Sequence, residues 1–208
     1  MNVPEARLKF RAEVRAMILA AAREGFIQGG YDNFSLRALA GKIGYSPAAI
    51  YKHFKNKQEV FDTLADESFA ALLESMESVE EVEGEDPVDR LKRGMHAYAD
   101  FALRHHDHYR FAFLSTTAEN YAPPAPRPAY RGLRHRVEQC VEAGQFANLD
   151  SQLAAQALWM AIHGVVSLLI QRPNFPWVKQ EDLIETVISS AIQGLLAKER
   201  PRLVDAPK

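Results

Sequence analysis

Cysteine is nearly missing from this chain: Cys140 is the only one in 208 residues. An internal disulfide framework is therefore excluded, and a reducing compartment suits the protein. No charged-then-apolar leader with a small-residue cleavage site opens the sequence, so secretion is not expected and a cytoplasmic location is. Unbroken apolar runs are also scarce. The longest, Ala154 to Ile170, is interrupted by Gln156, His163 and Gly164, and reads as a buried bundle helix rather than a membrane span. There is no internal repeat, no nucleophile elbow, no phosphate-binding glycine loop and no H-E-x-x-H metal pair. A catalytic residue, a bound metal and a cofactor are accordingly not expected.

What is present is ordinary in bulk, with 47% hydrophobic and 25% charged residues and a net charge of −2. That composition suits a soluble globular protein of one large or two modest domains. The charge is unevenly spread. Residues 1–60 hold ten Lys and Arg against five Asp and Glu, a balance of +5, and the remainder holds fifteen against twenty-two, or −7. A basic end on an acidic body fits a nucleic-acid-binding head.

The most informative stretch runs from Phe34 to Lys57. Ser35 can cap a helix in which Leu36, Leu39, Ala40 and Ile43 recur at helical spacing. Gly44 can end that helix in the left-handed conformation. Ser46 caps again, and Pro47 sits at the first helical position, where its missing amide costs little. The second helix is expected over roughly Pro47 to Phe54, with Ile50 and Phe54 inward and Ala48, Ala49, Tyr51, Lys52 and His53 outward. Helix, glycine turn, helix is the helix-turn-helix pattern. The small first turn allows a close approach to base edges, while Arg37, Lys42, Lys52, His53, Lys55 and Lys57 supply donors for phosphate. A structural corner with a solvated basic face is the plainer alternative.

Gly44-Tyr-Ser-Pro-Ala-Ala-Ile-Tyr-Lys-His-Phe-Lys-Asn-Lys57, followed by Gln58-Glu-Val-Phe61, resembles the DNA-binding segment of the TetR family of transcriptional regulators. Tyr45 and Ile50 depart from the usual residues but stay apolar. The resemblance implies an all-α protein of about nine helices. A three-helix head over residues 1–56 would bind DNA, and a helical bundle over 57–208 would bind ligand and dimerise. It also implies a homodimer on a palindromic operator, acting as a repressor released by a small apolar or amphipathic effector. At the DNA, Ala48, Ala49 and Tyr51 would meet base edges or thymine methyls, and Arg37 a guanine or a phosphate. Ser35, Ser46, Pro47, Lys52, His53 and Lys57 would complete the contact with the backbone.

Elsewhere the reading is coarser. A first helix is expected from Arg7 to Gln28, ended by Gly29-Gly30, with Arg7, Lys9, Arg11 and Arg15 as basic residues that either attract a polyanion or are solvated. Helices follow from Lys57 to about Ser78, from Pro87 into the His105–His108 cluster, from about Ala129 to Glu142, from Ser151 to Gln171 with Asp150 as cap, and from Gln180 to about Glu199. Residues 80–86 read as an acidic linker, and residues 121–130 as a proline-rich loop.

Trp159 and His163, four apart and followed by Gly164, resemble the Trp-His-Gly element of one subgroup of the family's C-terminal domains. On that basis Tyr98, Phe101, His105, Phe113, Trp159 and His163 are candidate effector-binding residues, with a plain core role open for His163. Leu183, Val187, Ala191, Gly194 and Leu195 form the candidate dimer face. The rival function is a helical-bundle enzyme or metal-binding protein using His105 and His108.

Overall fold

The computed structural model describes residues 3–77, 84–114, 128–147 and 149–196. Among them the chain is all-α, with nine α-helices and one π-helical turn. The helices are α1 (Val3–Asn33), α2 (Leu36–Lys42), α3 (Pro47–Tyr51), α4 (Lys57–Glu77) and α5 (Pro87–Arg104). After them come α6 (His106–Tyr109), the π-turn (Arg110–Leu114), α7 (Pro128–Glu142), α8 (Ser151–Gln171) and α9 (Gln180–Gln193). The acidic linker up to residue 83, the proline-rich segment 121–127 and any continuation past 196 lie outside the described residues.

The chain divides into two compact units. One comprises Met1–Glu74 with Phe101–Arg127, the other Ser75–Asp100 with Pro128–Lys208. The sequence boundary at 56/57 falls inside the first unit, and the unit edges fall inside α4 and α5.

The first unit is built on aromatic packing. Phe26 of α1, 1% exposed, stacks on Phe34 at 3.9 Å between ring centres and meets Phe61 edge-on at 5.4 Å. Phe111 joins the same cluster from the π-turn, 4.9 Å from Phe61. Gly25 lets Phe34 come this close, because a Cβ there would stand 3.1 Å from the Phe34 ring. The first helix breaks where expected: Gly30 takes φ 72°, open to glycine without the Cβ penalty.

In the second unit α8 packs on α7 and α9. Leu158, Ile162, Val166 and Leu169 are buried along α8, and Ile184, Ile188 and Ile192 along α9. Cys140 of α7 is fully buried, and desolvation pushes its thiol up to about 11, which leaves it unreactive. By length and composition α8 could cross a membrane, but its inward face belongs to this bundle. The last helix stops at Gln193, short of the expected Glu199. The chain turns there so that the Leu195 carbonyl accepts from the Ala147 amide at 3.0 Å. Gly194 and Leu195 therefore lie just past α9 rather than on it.

A surface cluster ties α5 to α9 in this unit. Lys92 Nζ lies 2.5 Å from Glu185 Oε1, His96 Nε2 lies 3.0 Å from Oε2, and the Ser189 hydroxyl donates to Oε1 at 2.7 Å. Bonding from Lys92 first, then from Ser189, lowers Glu185 to about 2 from 4.5. A depressed carboxylate stabilises the fold above its ordinary value, and the contribution is lost as pH falls through the folded value. The group is half-exposed, so the effect is small. The melting-temperature gap between wild type and Glu185→Gln is expected to close as pH drops from 4.5 to about 2. A gap that stays constant across this window would contradict the assignment.

Candidate nucleic-acid interface and ligand cavity

The two short helices form for local reasons. Ser35 adopts an extended backbone and its side chain accepts from the Ala38 amide, opening α2. That helix closes in a Schellman turn: Gly44, at φ 74°, donates to the Gly41 carbonyl and Tyr45 donates to the Ala40 carbonyl at 2.9 Å. Ser46 then accepts from the Ala49 amide at 3.2 Å, and Pro47 occupies the first position of α3. Regular helix ends at Tyr51, earlier than the expected Phe54. From there the chain tightens into a three-residue bond, His53 N–H to the Ile50 carbonyl at 2.9 Å.

This geometry gives α3 two distinct faces. Ile50 and Phe54 are buried in the head core, whereas Tyr51 is 54% exposed and Ala48 and Lys52 are also exposed. Ala49, Pro47 and His53 are intermediate. Ser35, Arg37 and Ser46 are exposed as well, so the ten candidate DNA residues cluster on α2, α3 and the start of α4.

The basic residues sort by what holds them. Arg15 is committed inward: it lies over the Phe54 ring at 4.2 Å and donates to the His53 carbonyl at 3.3 Å. Lys42 pairs with Glu24 at 2.7 Å. Lys57 donates to the Tyr31 carbonyl at 3.1 Å and sits 4.3 Å over the Tyr31 ring. Burial, then the charges of Arg11 and Arg15, lowers the pKa of His53 and favours its neutral imidazole. Arg37, Lys52 and Lys55 are left exposed. A capping box fixes the entry to α4: Asn56 Oδ1 accepts from the Glu59 amide at 2.8 Å, and the Glu59 carboxylate accepts from the Lys55 amide at 2.7 Å.

Tyr98, Trp159 and His163 come together in the second unit. A 3.0 Å hydrogen bond joins the Tyr98 hydroxyl to His163 Nδ1, and the Trp159 and His163 rings lie 6.0 Å apart. Burial lowers the pKa of His163, keeping the ring neutral. Tyr98 and Trp159 line an apolar cavity with Met76, Leu91, Gly94, Met95, Leu133, Arg136 and Ile162. It encloses about 20 Å³, room for about one water molecule. Of these, the sequence marked Tyr98 and Trp159 as effector candidates, but nothing marked Leu133 or Arg136.

The other three effector candidates belong to the first unit. Phe101 is buried, 5.1 Å from the His105 ring, and Phe113 packs on Tyr109 at 5.0 Å and on Phe69 at 5.1 Å. His105 is exposed, while His108 bonds the Arg23 guanidinium through Nε2. Arg23 donates, so Nε2 accepts. Burial, then Arg23, lowers the pKa of His108. Among the described residues no three His, Cys, Asp or Glu side chains gather as a metal ion requires.

A helix-turn-helix with a buried apolar face and a small, exposed first turn defines a DNA-binding transcriptional regulator. Residues 18–64 match the bacterial regulatory proteins of the tetR family, and residues 91–191 match the tetracyclin repressor-like C-terminal domain. The chain belongs to the TetR family. Over 185 residues it is 25% identical to the HTH-type transcriptional activator FasR of Mycolicibacterium smegmatis, covering 88% of this chain and 80% of that one. Over 53 residues it is 43% identical to the HTH-type transcriptional repressor Rv1474c of Mycobacterium tuberculosis, covering 26% of this chain and 28% of that one. The crystal structure of the TetR-family regulator PfmR from Thermus thermophilus superposes with a TM-score of 0.67 at 26% identity, over 88% of this chain and 99% of that one.

Proposed function

We propose that the protein is a cytoplasmic, homodimeric repressor that binds a palindromic operator and is released by a small apolar or amphipathic effector. The observation that carries the DNA contact is the two-faced α3, with Ile50 and Phe54 buried and Tyr51 exposed. Ala48, Ala49 and Tyr51 read base edges or thymine methyls, and Arg37 reaches a guanine or a phosphate. Ser35, Ser46, Pro47, Lys52, His53 and Lys57 hold the backbone, fixing register without reading sequence. Residues 1–56 supply the whole DNA contact apart from Lys57, and 57–208 the response to ligand and the dimer.

One short helix contacts few base pairs, so two copies about 34–36 Å apart are needed to read an operator. Support for the dimer comes from apolar surface on α8 and α9. Leu153, Met160 and Leu168 are 66%, 71% and 50% exposed, and Leu183, Val187 and Ala191 are half-buried beside the inward Ile184–Ile188–Ile192 stripe. A two-fold axis would pair this face with itself, with Gly194 and Leu195 at its edge.

The cavity beside Trp159 and His163 is the effector site in this reading, as in the Trp-His-Gly subgroup. An effector releases the operator only by binding the non-binding conformation more tightly than the binding one. No catalytic role is assigned to His108 or His163, which bond Arg23 and Tyr98 of other helices. Repression is chosen over activation, and a promoter–reporter fusion with and without the gene decides between them.

The test is a mobility-shift titration with DNA flanking the gene, repeated with a panel of hydrophobic compounds. A shifted dimer complex that one compound class dissolves is expected. No shift with any flanking fragment would contradict the reading. Lys57→Ala is expected to weaken binding to all sequences and to reduce the salt slope by about one unit. It also removes the Tyr31 contacts, so the head should melt slightly earlier. An unchanged salt slope would remove Lys57 from the interface.

A further inference from the structure

We infer that the opening turns of α1 are a second DNA-contacting element, in which Arg7 and Arg11 hold the phosphate backbone beside the segment met by α3. This rests on the head being a DNA-binding one. From Arg7 to Glu13 every residue is exposed, Leu8 and Phe10 to 68% and 61%. Only from Val14 onward does α1 bury a face, through Val14, Ile18, Ala22 and Phe26. The exposed stretch also precedes residues 18–64, the part that matches the family's DNA-binding domain. These turns add nothing to the core of the head, and their charges face solvent.

The charges are sorted by side. Arg7, Arg11 and Arg15 follow one another at four-residue spacing and form one stripe along the helix. Glu5, Lys9 and Glu13 form another of mixed sign, about half a turn away at roughly 100° per residue. The arginine stripe is tied to α3. Arg15 donates to the His53 carbonyl at 3.3 Å and lies 4.2 Å over the Phe54 ring. Arg11, one turn earlier, stands close enough that its charge, after burial, lowers the pKa of His53. The stripe therefore leads away from the end of α3, and Arg7 lies about 12 Å beyond Arg15 along the axis, roughly the rise of three to four base pairs. Like charges at this spacing repel in the free protein, and a polyanion relieves them. The guanidinium fork suits phosphate oxygens, and the duplex that α3 meets is the polyanion beside it.

Full-length wild type and Arg7→Gln/Arg11→Gln are titrated by mobility shift against an operator duplex and a random duplex of equal length, at several salt concentrations. Both positions are exposed and glutamine is a good helix former, so melting temperature should stay within a degree or two. Affinity for both duplexes is expected to fall by about tenfold to a hundredfold, and the salt slope by about one unit per contact removed. The ratio of operator to random binding should be unchanged, because phosphate contacts carry no sequence information. Arg7→Lys/Arg11→Lys keeps the charge and should keep the slope, which guards against a misfolded glutamine variant. Hydroxyl-radical protection should shrink by about three base pairs beside each α3 patch and leave the patches in place. An unchanged slope and footprint would overturn the arm while leaving α3 at the DNA. A glutamine variant that sediments at half the wild-type mass would also overturn it, by placing the stripe in a protein contact. Failure of the wild type to shift either duplex would overturn the DNA-binding reading, and the arm with it.

Discussion

Replacing Phe26 by alanine is expected to cost about 3–5 kcal/mol of stability and to abolish DNA binding. Phe26 is 1% exposed and contacts four other rings: Phe34 at 3.9 Å, Phe61 at 5.4 Å, Phe111 at 5.8 Å and Tyr31 at 5.9 Å between centroids. Truncation removes its own transfer energy and opens a cavity beneath α2 and the start of α4. Proteins are stable by only about 5–15 kcal/mol in total, so the loss is a large share. The head carries no metal cluster or disulfide among its described residues that could make up the difference. Urea unfolding of wild type and variant measures it. A loss below about 1 kcal/mol would mean that the aromatic cluster is not what holds the head together.

The second large effect separates recognition from folding. Ala48 is exposed in the first turn of α3. Glutamate at this position costs the fold nothing, since an acidic residue in the opening turn favours the helix. Against DNA the same carboxylate faces phosphates and base acceptors. One mismatched base contact costs about 1–3 kcal/mol, and a dimer incurs it twice, so operator affinity should fall by about a hundredfold or more. Melting temperature should stay within a degree or two of wild type, roughly what a surface change produces. Strong DNA loss with an unchanged melt assigns Ala48 to the interface. Retained affinity would remove α3 from it.

These two residues also show what could be read from the sequence and what could not. The caps at Ser35, Ser46 and Asp150 and the turn at Gly44 are local, each needing only a neighbour three or four residues away, and the structure forms all of them. The inward faces of α2 and α3 followed from spacing alone. Partner choice did not. Arg15, Lys42 and Lys57 look alike in sequence, yet Phe54, Glu24 and Tyr31 engage them across the fold.

The same limit explains the body. Phe101, His105 and Phe113 resemble pocket residues by type, but long-range packing assigns all three to the unit that contains the head. Arg136, half-buried at the cavity, reads in sequence as one more solvated charge of α7. No periodicity signals its position, because that depends on packing beside Gly94 of another helix. The end of α9 at Gln193 likewise depends on Ala147, far away in the chain.

A hydroxyl-radical footprint of the wild-type protein on its operator, run beside Ala48→Glu, is the most direct test of the whole account. Two protected patches on one face of the duplex, centred about 34–36 Å apart or a multiple of that, are expected. Both should disappear together in the variant. A single patch, or a footprint that Ala48→Glu leaves intact, would contradict paired presentation of α3 to DNA.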